Sequence, residues 1–139
     1  HYAESRVRLV LYAMVHNADY PDSDTNLAVE EVIAAHQRGV DVEVILDGST
    51  WIVDNQINDA AIALLVAAGV PLRTTPSSVV THAKALLCDD KVLVGDANWS
   101  YSAFSLYNGT SVQVTSPELA EDYLTWFAVL VAESTAVVE

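Results

Sequence analysis

The stretch THAKALLCDDKVLVGDANWS, from Thr81 to Ser100, decides how the rest of the chain is read. Lys84 to Cys88 and Val92 to Val94 are two short apolar runs. Asp89-Asp90-Lys91 lies between them as a tight-turn signal, so the stretch predicts a β-hairpin. Residues two apart on a strand share a face, which places His82 and Lys84 side by side, while Ala83, Leu86 and Leu87 anchor the strand in a core. A His beside a Lys on a rigid element suits phosphate chemistry. The imidazole is a nucleophile or acid/base near neutral pH, and the ammonium is a point charge for phosphate oxygens. Asn98, after the turn at Gly95, adds a neutral amide donor, and Lys84, Asn98 and Ser100 form the candidate phosphate-binding set. These groups require neither a metal nor a cofactor.

Working outward, Val7 to Met14 reads as a strand and Asn17 to Asp24 as a loop. Ser23 or Asp24 caps a helix with Leu27, Val29, Val32 and Ile33 on its apolar face, ended by Gly39. Val40 to Leu46 is a second strand, and Asp47 to Ile57 a loop holding Trp51. Asn58 or Asp59 opens an Ala/Leu-rich helix that stops at Gly69, and Val70 to Arg73 is a short strand. Alternating strands and helices make right-handed crossovers and a parallel sheet. After the hairpin come a polar loop from Gly95 to Ser105, a strand near Val112 to Val114, and a last helix capped by Ser116 with Pro117 in its first turn, ending near Glu133. The expected fold is α/β: a mixed, mainly parallel sheet sandwiched by helices on both faces, with residues 1–139 forming a single domain.

His82-x-Lys84, Asp89 after four further residues, and Gly95-x-x-Asn98 together resemble the signature of the phospholipase D superfamily. The flanks RVRLVLYAM, AAHQRGVDVEVILD, AAGVPLR and PELAEDYLTWF are similar to its short bacterial endonuclease and phospholipase-D-like branch, so the resemblance covers most of the chain. It implies that two such motifs meet, from two halves of one chain or from two subunits. One His attacks phosphorus to give a phosphohistidine, and the other protonates the leaving oxygen and then activates water. His82, Lys84 and Asp89 are then the catalytic signature, with Asp89 more a turn residue than a reacting group. Lys84 and Asn98 hold phosphoryl oxygens. The partner is a second copy across a two-fold axis or another phospholipase D-like lobe, and the substrate is nucleic acid or another phosphodiester.

Three departures from the family pattern stand out. Asp96 takes the place of the usual Ser after the glycine. The usual His-orienting Glu is missing from Tyr107-Asn108-Gly109-Thr110-Ser111. The customary strand and helix before Val7 are also missing, which points to a fragment or one half of a two-motif protein. With no initiator Met and a start at His1, the chain reads as a processed or excised piece.

Nineteen acids against six bases give a formal charge of −13. Self-repulsion of that size destabilises a compact state. Either a polycationic partner or a very salty solvent answers it. The acids are spread along the chain and Lys84 and Lys91 are its only lysines, so the second reading, a salt-loving source, is favoured. Cys88 is alone, which rules out an internal disulfide. No apolar stretch is long enough to span a bilayer, and 60–70 is broken by Gly69 and Pro71. A soluble protein, cytoplasmic rather than secreted, is expected.

Other conspicuous residues have plainer readings. His16 and His36 are surface residues, although His16 follows the C-terminal end of a strand, where open α/β sheets place their ligands. Trp51 and Trp99 read as packing rather than stacking platforms, and Asp47 and Asp54 are a weak metal signal. Tyr123, Trp126 and Phe127 belong to a core or dimer face. Three functions compete: a phospholipase D-type phosphodiesterase, nuclease rather than lipase; a catalytically degenerate lobe serving assembly or regulation; and a phosphatidyl transferase or lipid phosphodiesterase acting with a second lobe. Phosphate binding normally wants basic patches, so substrate must be gripped by a few groups at the site.

Overall fold

The computed structural model describes residues 3–50 and 56–138. Trp51 and Asp54 lie outside the described residues. In chain order the elements are β1 (Arg6–Leu11), α1 (Asp24–Gln37), β2 (Asp41–Leu46), α2 (Asp59–Ala67), β3 (Leu72–Thr74), β4 (Lys84–Cys88), β5 (Lys91–Gly95), α3 (Tyr101–Ser105), β6 (Ser111–Thr115), α4 (Pro117–Glu133) and β7 (Thr135–Ala136).

Local chemistry explains most of these boundaries. The Ser23 hydroxyl accepts the Asn26 N–H at the start of α1, and the Ser116 hydroxyl accepts the Leu119 N–H at the start of α4. These are the side-chain caps that leave few orphan donors in a first turn. Gly39 and Gly69 follow α1 and α2 at φ of +87° and +73°, where a Cβ would be strained.

The strands form one sheet in the order β6-β5-β4-β1-β2-β3-β7. β1 pairs with β2, and β2 with β3, in parallel. The four pairings β1–β4, β4–β5, β5–β6 and β3–β7 are antiparallel. The mixed α/β class is as expected, but the parallel portion is confined to the two helical crossovers. Beyond Val80 a tight turn at Asp89 and Asp90 joins β4 to β5 as antiparallel neighbours, the chain reaches β6 through α3, and β7 follows α4.

Two cores lie on opposite faces of the sheet. On one face Leu9, Leu11, Val42, Val44 and Leu46 pack against α1 and α2 through Val29, Val32, Ala61 and Leu65. On the other, Val10, Ile45, Ala85, Leu87 and Val92 meet Ala120, Tyr123 and Phe127 of α4. The strand alternation that sends Val10 one way and Leu9 and Leu11 the other thus builds the three layers. Trp126, expected to share the core or a dimer face with Tyr123 and Phe127, is 39% exposed. Among the described residues, no helix is long and apolar enough to cross a membrane.

The stretch expected as a polar loop before Ser105 contains the short helix α3. Ser100 caps it, its hydroxyl accepting the Ala103 N–H. The residue pair of β7 exists only through its pairing with Arg73 and Thr74, so no local signal announces it.

Candidate functional site

The register of β1 on β4 sets the site. Leu11 lies opposite Lys84, and one step further the Tyr12 N–H donates to the Ala83 carbonyl at 2.9 Å. This brings the C-terminal end of β1 beside the entry to β4. There the Lys84 Nζ lies 3.0 Å from both His82 ring nitrogens and 3.0 Å from the His82 carbonyl. Equal distances to both nitrogens set the ammonium out of the imidazole plane, in line with neither ring lone pair. The Tyr12 ring closes the group, with its centroid 4.7 Å from that of His82 and 5.3 Å from the Lys84 Nζ. His82 is exposed and Lys84 half-buried. The pair borders a pocket of about 400 Å³ walled by Val94, Gly95, Tyr123 and Trp126.

Charge around Lys84 is tuned from two sides. Burial lowers the Lys84 pKa, and the field of Asp96 partly restores it. Asp96, which departs from the family pattern, does not hang into the pocket without a partner. Its Oδ1 accepts the Thr110 N–H at 2.9 Å. A Cβ at Gly109 would come within 2.8 Å of that oxygen, so glycine permits the approach. The carboxylate therefore closes the turn before β6 and at the same time supports the cationic form of Lys84.

The remaining expected residues are placed as follows. Asp89 sits at the far end of β4 from His82, at φ +57°. Its carboxylate accepts the backbone N–H groups of Glu4, Ser5 and Arg6 and the Ser5 hydroxyl at 2.7–3.0 Å. These bonds hold its carboxyl far below the usual carboxylate range against the opposing effect of partial burial. The structure gives it a stapling role and does not bring it to the imidazole. The Asn98 Oδ1 is buried without a hydrogen-bond partner among the described residues. Such an orphan costs about 1–3 kcal/mol, which a donor from outside would relieve. Ser100 uses its hydroxyl to cap α3.

Trp99 packs half-buried, 6.5 Å from the Phe104 ring, and its backbone pairs with Ala13 and Val15. His16 lies half-buried just past the Met14–Trp99 bridge, and His36 half-buried in the last turn of α1.

Sequence reasoning missed the support beneath the site. Asp47, taken as a weak metal signal, is only 3% exposed. Its carboxylate accepts the Thr81 N–H at 2.6 Å, the Ser49 hydroxyl at 2.6 Å and the Ser49 N–H at 3.2 Å, so it fixes the residue before His82. Asn58, also 3% exposed, accepts the Met14 N–H and donates to the Tyr12 and Asp47 carbonyls. It ties the ends of β1 and β2 to the start of α2. The available signal was position: both carboxyl ends of parallel strands fall where such sheets hold ligands. Among the described residues, no group of three or more His, Cys, Asp or Glu side chains is arranged to hold a metal.

Comparisons with known proteins show the family and the fold. The family model described as "Cardiolipin synthase, PLD-like domain" matches residues 1–131. Among solved structures, the chain is similar to Nuc from Salmonella typhimurium, a phospholipase D family member. The TM-score is 0.79 at 22% identity, covering 99% of this chain and 84% of that one. It is similar to NucT from Helicobacter pylori, with a TM-score of 0.71 at 16% identity over 97% and 84% of the two chains. It also resembles TrmBL2, an archaeal chromatin protein whose structure shows a mode of DNA binding, with a TM-score of 0.59 at 15% identity over 97% and 46%. No curated protein matches the chain.

Proposed function

The chain belongs to the phospholipase D-like domain family, and on that premise we propose that it is a phosphodiesterase acting on nucleic acid through a phosphohistidine. In the first step a His82 ring nitrogen attacks phosphorus and a P–O bond breaks. The leaving oxygen takes a proton from a second imidazole. In the second step that imidazole accepts a proton from water, the water oxygen attacks phosphorus, and the P–N bond breaks to release His82. Lys84 neutralises the phosphoryl oxygens throughout, with Asn98 as a further donor and Ser100 beside it. Charge on the phosphoryl group is carried by the ammonium and the amide, so the residue set itself needs no metal.

The observation that carries this reading is the Lys84 ammonium 3.0 Å from the His82 ring nitrogens at the mouth of an open pocket. The second imidazole comes from a second copy of the motif. The flank of the pocket supports this: Val94 is 48% and Val112 53% exposed, on the paired strands β5 and β6 beside the exposed Trp126. Apolar groups at that density suit a covered surface, and a two-fold pairing there would carry one His82 towards the other.

The test is incubation of the protein with single- and double-stranded DNA, with EDTA present, at about 0.1 M and about 2 M salt, beside a His82→Ala control. The expected result is cleavage by the parent and none by the variant, from a species that sediments as a dimer. Absence of cleavage at both salts from a folded dimer overturns the nuclease reading. It would favour the second reading, a degenerate lobe, which rests on Asp96 closing the turn at Thr110 where the family pattern has Ser and a nearby Glu.

A further inference from the structure

We propose that Tyr12 is the positioning residue of the His82–Lys84 pair, the group that holds the imidazole in its attacking orientation; the role rests on the phosphodiesterase reading above. His82 lies two residues before the first residue of β4 and is exposed, so the strand ladder does not hold its ring. An exposed side chain left to itself samples several rotamers. Its orientation has to come from neighbours.

Two neighbours are present. Lys84 contacts both ring nitrogens equally, at 3.0 Å, and so does not select which one faces the phosphorus. Tyr12 does what Lys84 cannot. Its ring packs on the imidazole at 4.7 Å and a 58° tilt, an aromatic contact of the tilted kind, and this fixes the plane in which the nitrogens lie. The Tyr12 backbone is itself hydrogen-bonded on both sides. Its N–H is bonded to the Ala83 carbonyl at 2.9 Å, and its carbonyl accepts from the buried Asn58 at 3.0 Å. The aromatic wall is therefore anchored on both sides of its own Cα.

The same ring serves the ammonium. The Lys84 Nζ is 5.3 Å from its centroid, within the range of a cation–π contact. The three side chains close a triangle: ring on ring, ammonium against the imidazole, ammonium towards the Tyr12 π face. When His82 takes up the phosphoryl group its ring gains positive character and repels the ammonium. Lys84 then turns to the phosphoryl oxygens, and the Tyr12 face remains as the favourable neighbour of the charged ring. A misplacement of about 1 Å at such a point can cost about a hundredfold in rate.

The experiment compares Tyr12→Leu, Tyr12→Met and Tyr12→Phe with the parent. It reads kcat and KM on bis(p-nitrophenyl) phosphate, and the proton NMR shift of the His82 Cε1–H, assigned by its loss in His82→Ala. Tyr12→Phe should keep kcat within about twofold and leave the shift in place, because the ring face and not the hydroxyl does the work. Tyr12→Leu and Tyr12→Met should lower kcat by about ten- to a hundredfold with KM little changed, and should move the His82 resonance as the ring-current neighbour disappears. Thermal unfolding within a few degrees of the parent in either aliphatic variant separates positioning from folding. Parental kcat in a folded aliphatic variant overturns the proposal. If the parent itself cleaves no phosphodiester, the functional reading fails, and the His82 χ1 couplings then decide: a single rotamer in the parent and averaging in Tyr12→Leu support positioning, and the same rotamer in both overturns it.

Discussion

At the scale of single residues, the acids divide by what they touch. Asp96 bonds a backbone amide and supports the charge on Lys84. Replacing it by Asn keeps a bond acceptor and removes the field. Lys84 should then lose its proton at lower pH, and the alkaline limb of the rate profile should move down in pH. A limb that stays in place would show that the carboxylate is not felt at the site. Asp89 answers to stability. Its folded-state pKa is depressed by the bonds to Glu4, Ser5 and Arg6, so its contribution is fully present above the unfolded value near about 4 and is lost as pH falls below that towards the folded value. Asp89→Asn can keep the positive φ. It should lower Tm at neutral pH and flatten the acid limb of a Tm-versus-pH curve. Asp47, Asp89 and Asp96 are the same residue type in the chain and have three different roles, because burial and partners come from strands far apart in sequence.

At the scale of elements, α4 seals one face of the sheet. Phe127 is 3% exposed and sits under the Arg8 guanidinium, 5.8 Å from its ring. The Tyr123 hydroxyl lies 3.1 Å from both the Arg8 and the Ala85 carbonyls, which share its one proton. Phe127→Ala should cost about 3–5 kcal/mol in urea unfolding, and Tyr123→Phe about 1 kcal/mol. A loss well under 1 kcal/mol for Phe127→Ala would mean that α4 is a peripheral cover. Helices α1, α2 and α4 and most strands could be read directly, since apolar pattern and, for α1 and α4, serine caps agree with the fold. The helix α3 was missed although its Ser100 cap was visible. Its five residues carry no buried stripe, and period is the signal that a reader follows.

At the scale of the whole molecule, the charge of −13 is carried by a sheet whose two cores do not depend on it. Raising KCl from about 0.1 M to about 2 M shortens the screening length from roughly 10 Å to a few ångströms. Tm should therefore rise, and the rise should be smaller in a variant with several surface acids neutralised. A Tm unchanged over that range would show that the acids are spaced too widely to repel. The same salt series on DNA cleavage tests whether a substrate of like charge reaches Lys84 only when screened.

Sequence alone determined the family signature, the three-layer α/β plan and the pairing of His82 with Lys84. Each of these rests on local pattern: the His82-x-Lys84 spacing, a turn at Asp89, caps at Ser23 and Ser116. Tertiary structure alone decided that antiparallel pairings outnumber parallel ones. It also decided that Asp89 staples the start of β1, that Asp47 holds the backbone before His82, and that Tyr12 stands against the imidazole. The reason is physical. A hydrogen bond or ring contact between residues 34 to 85 positions apart is set by the register of neighbouring strands, which no local pattern of residues specifies.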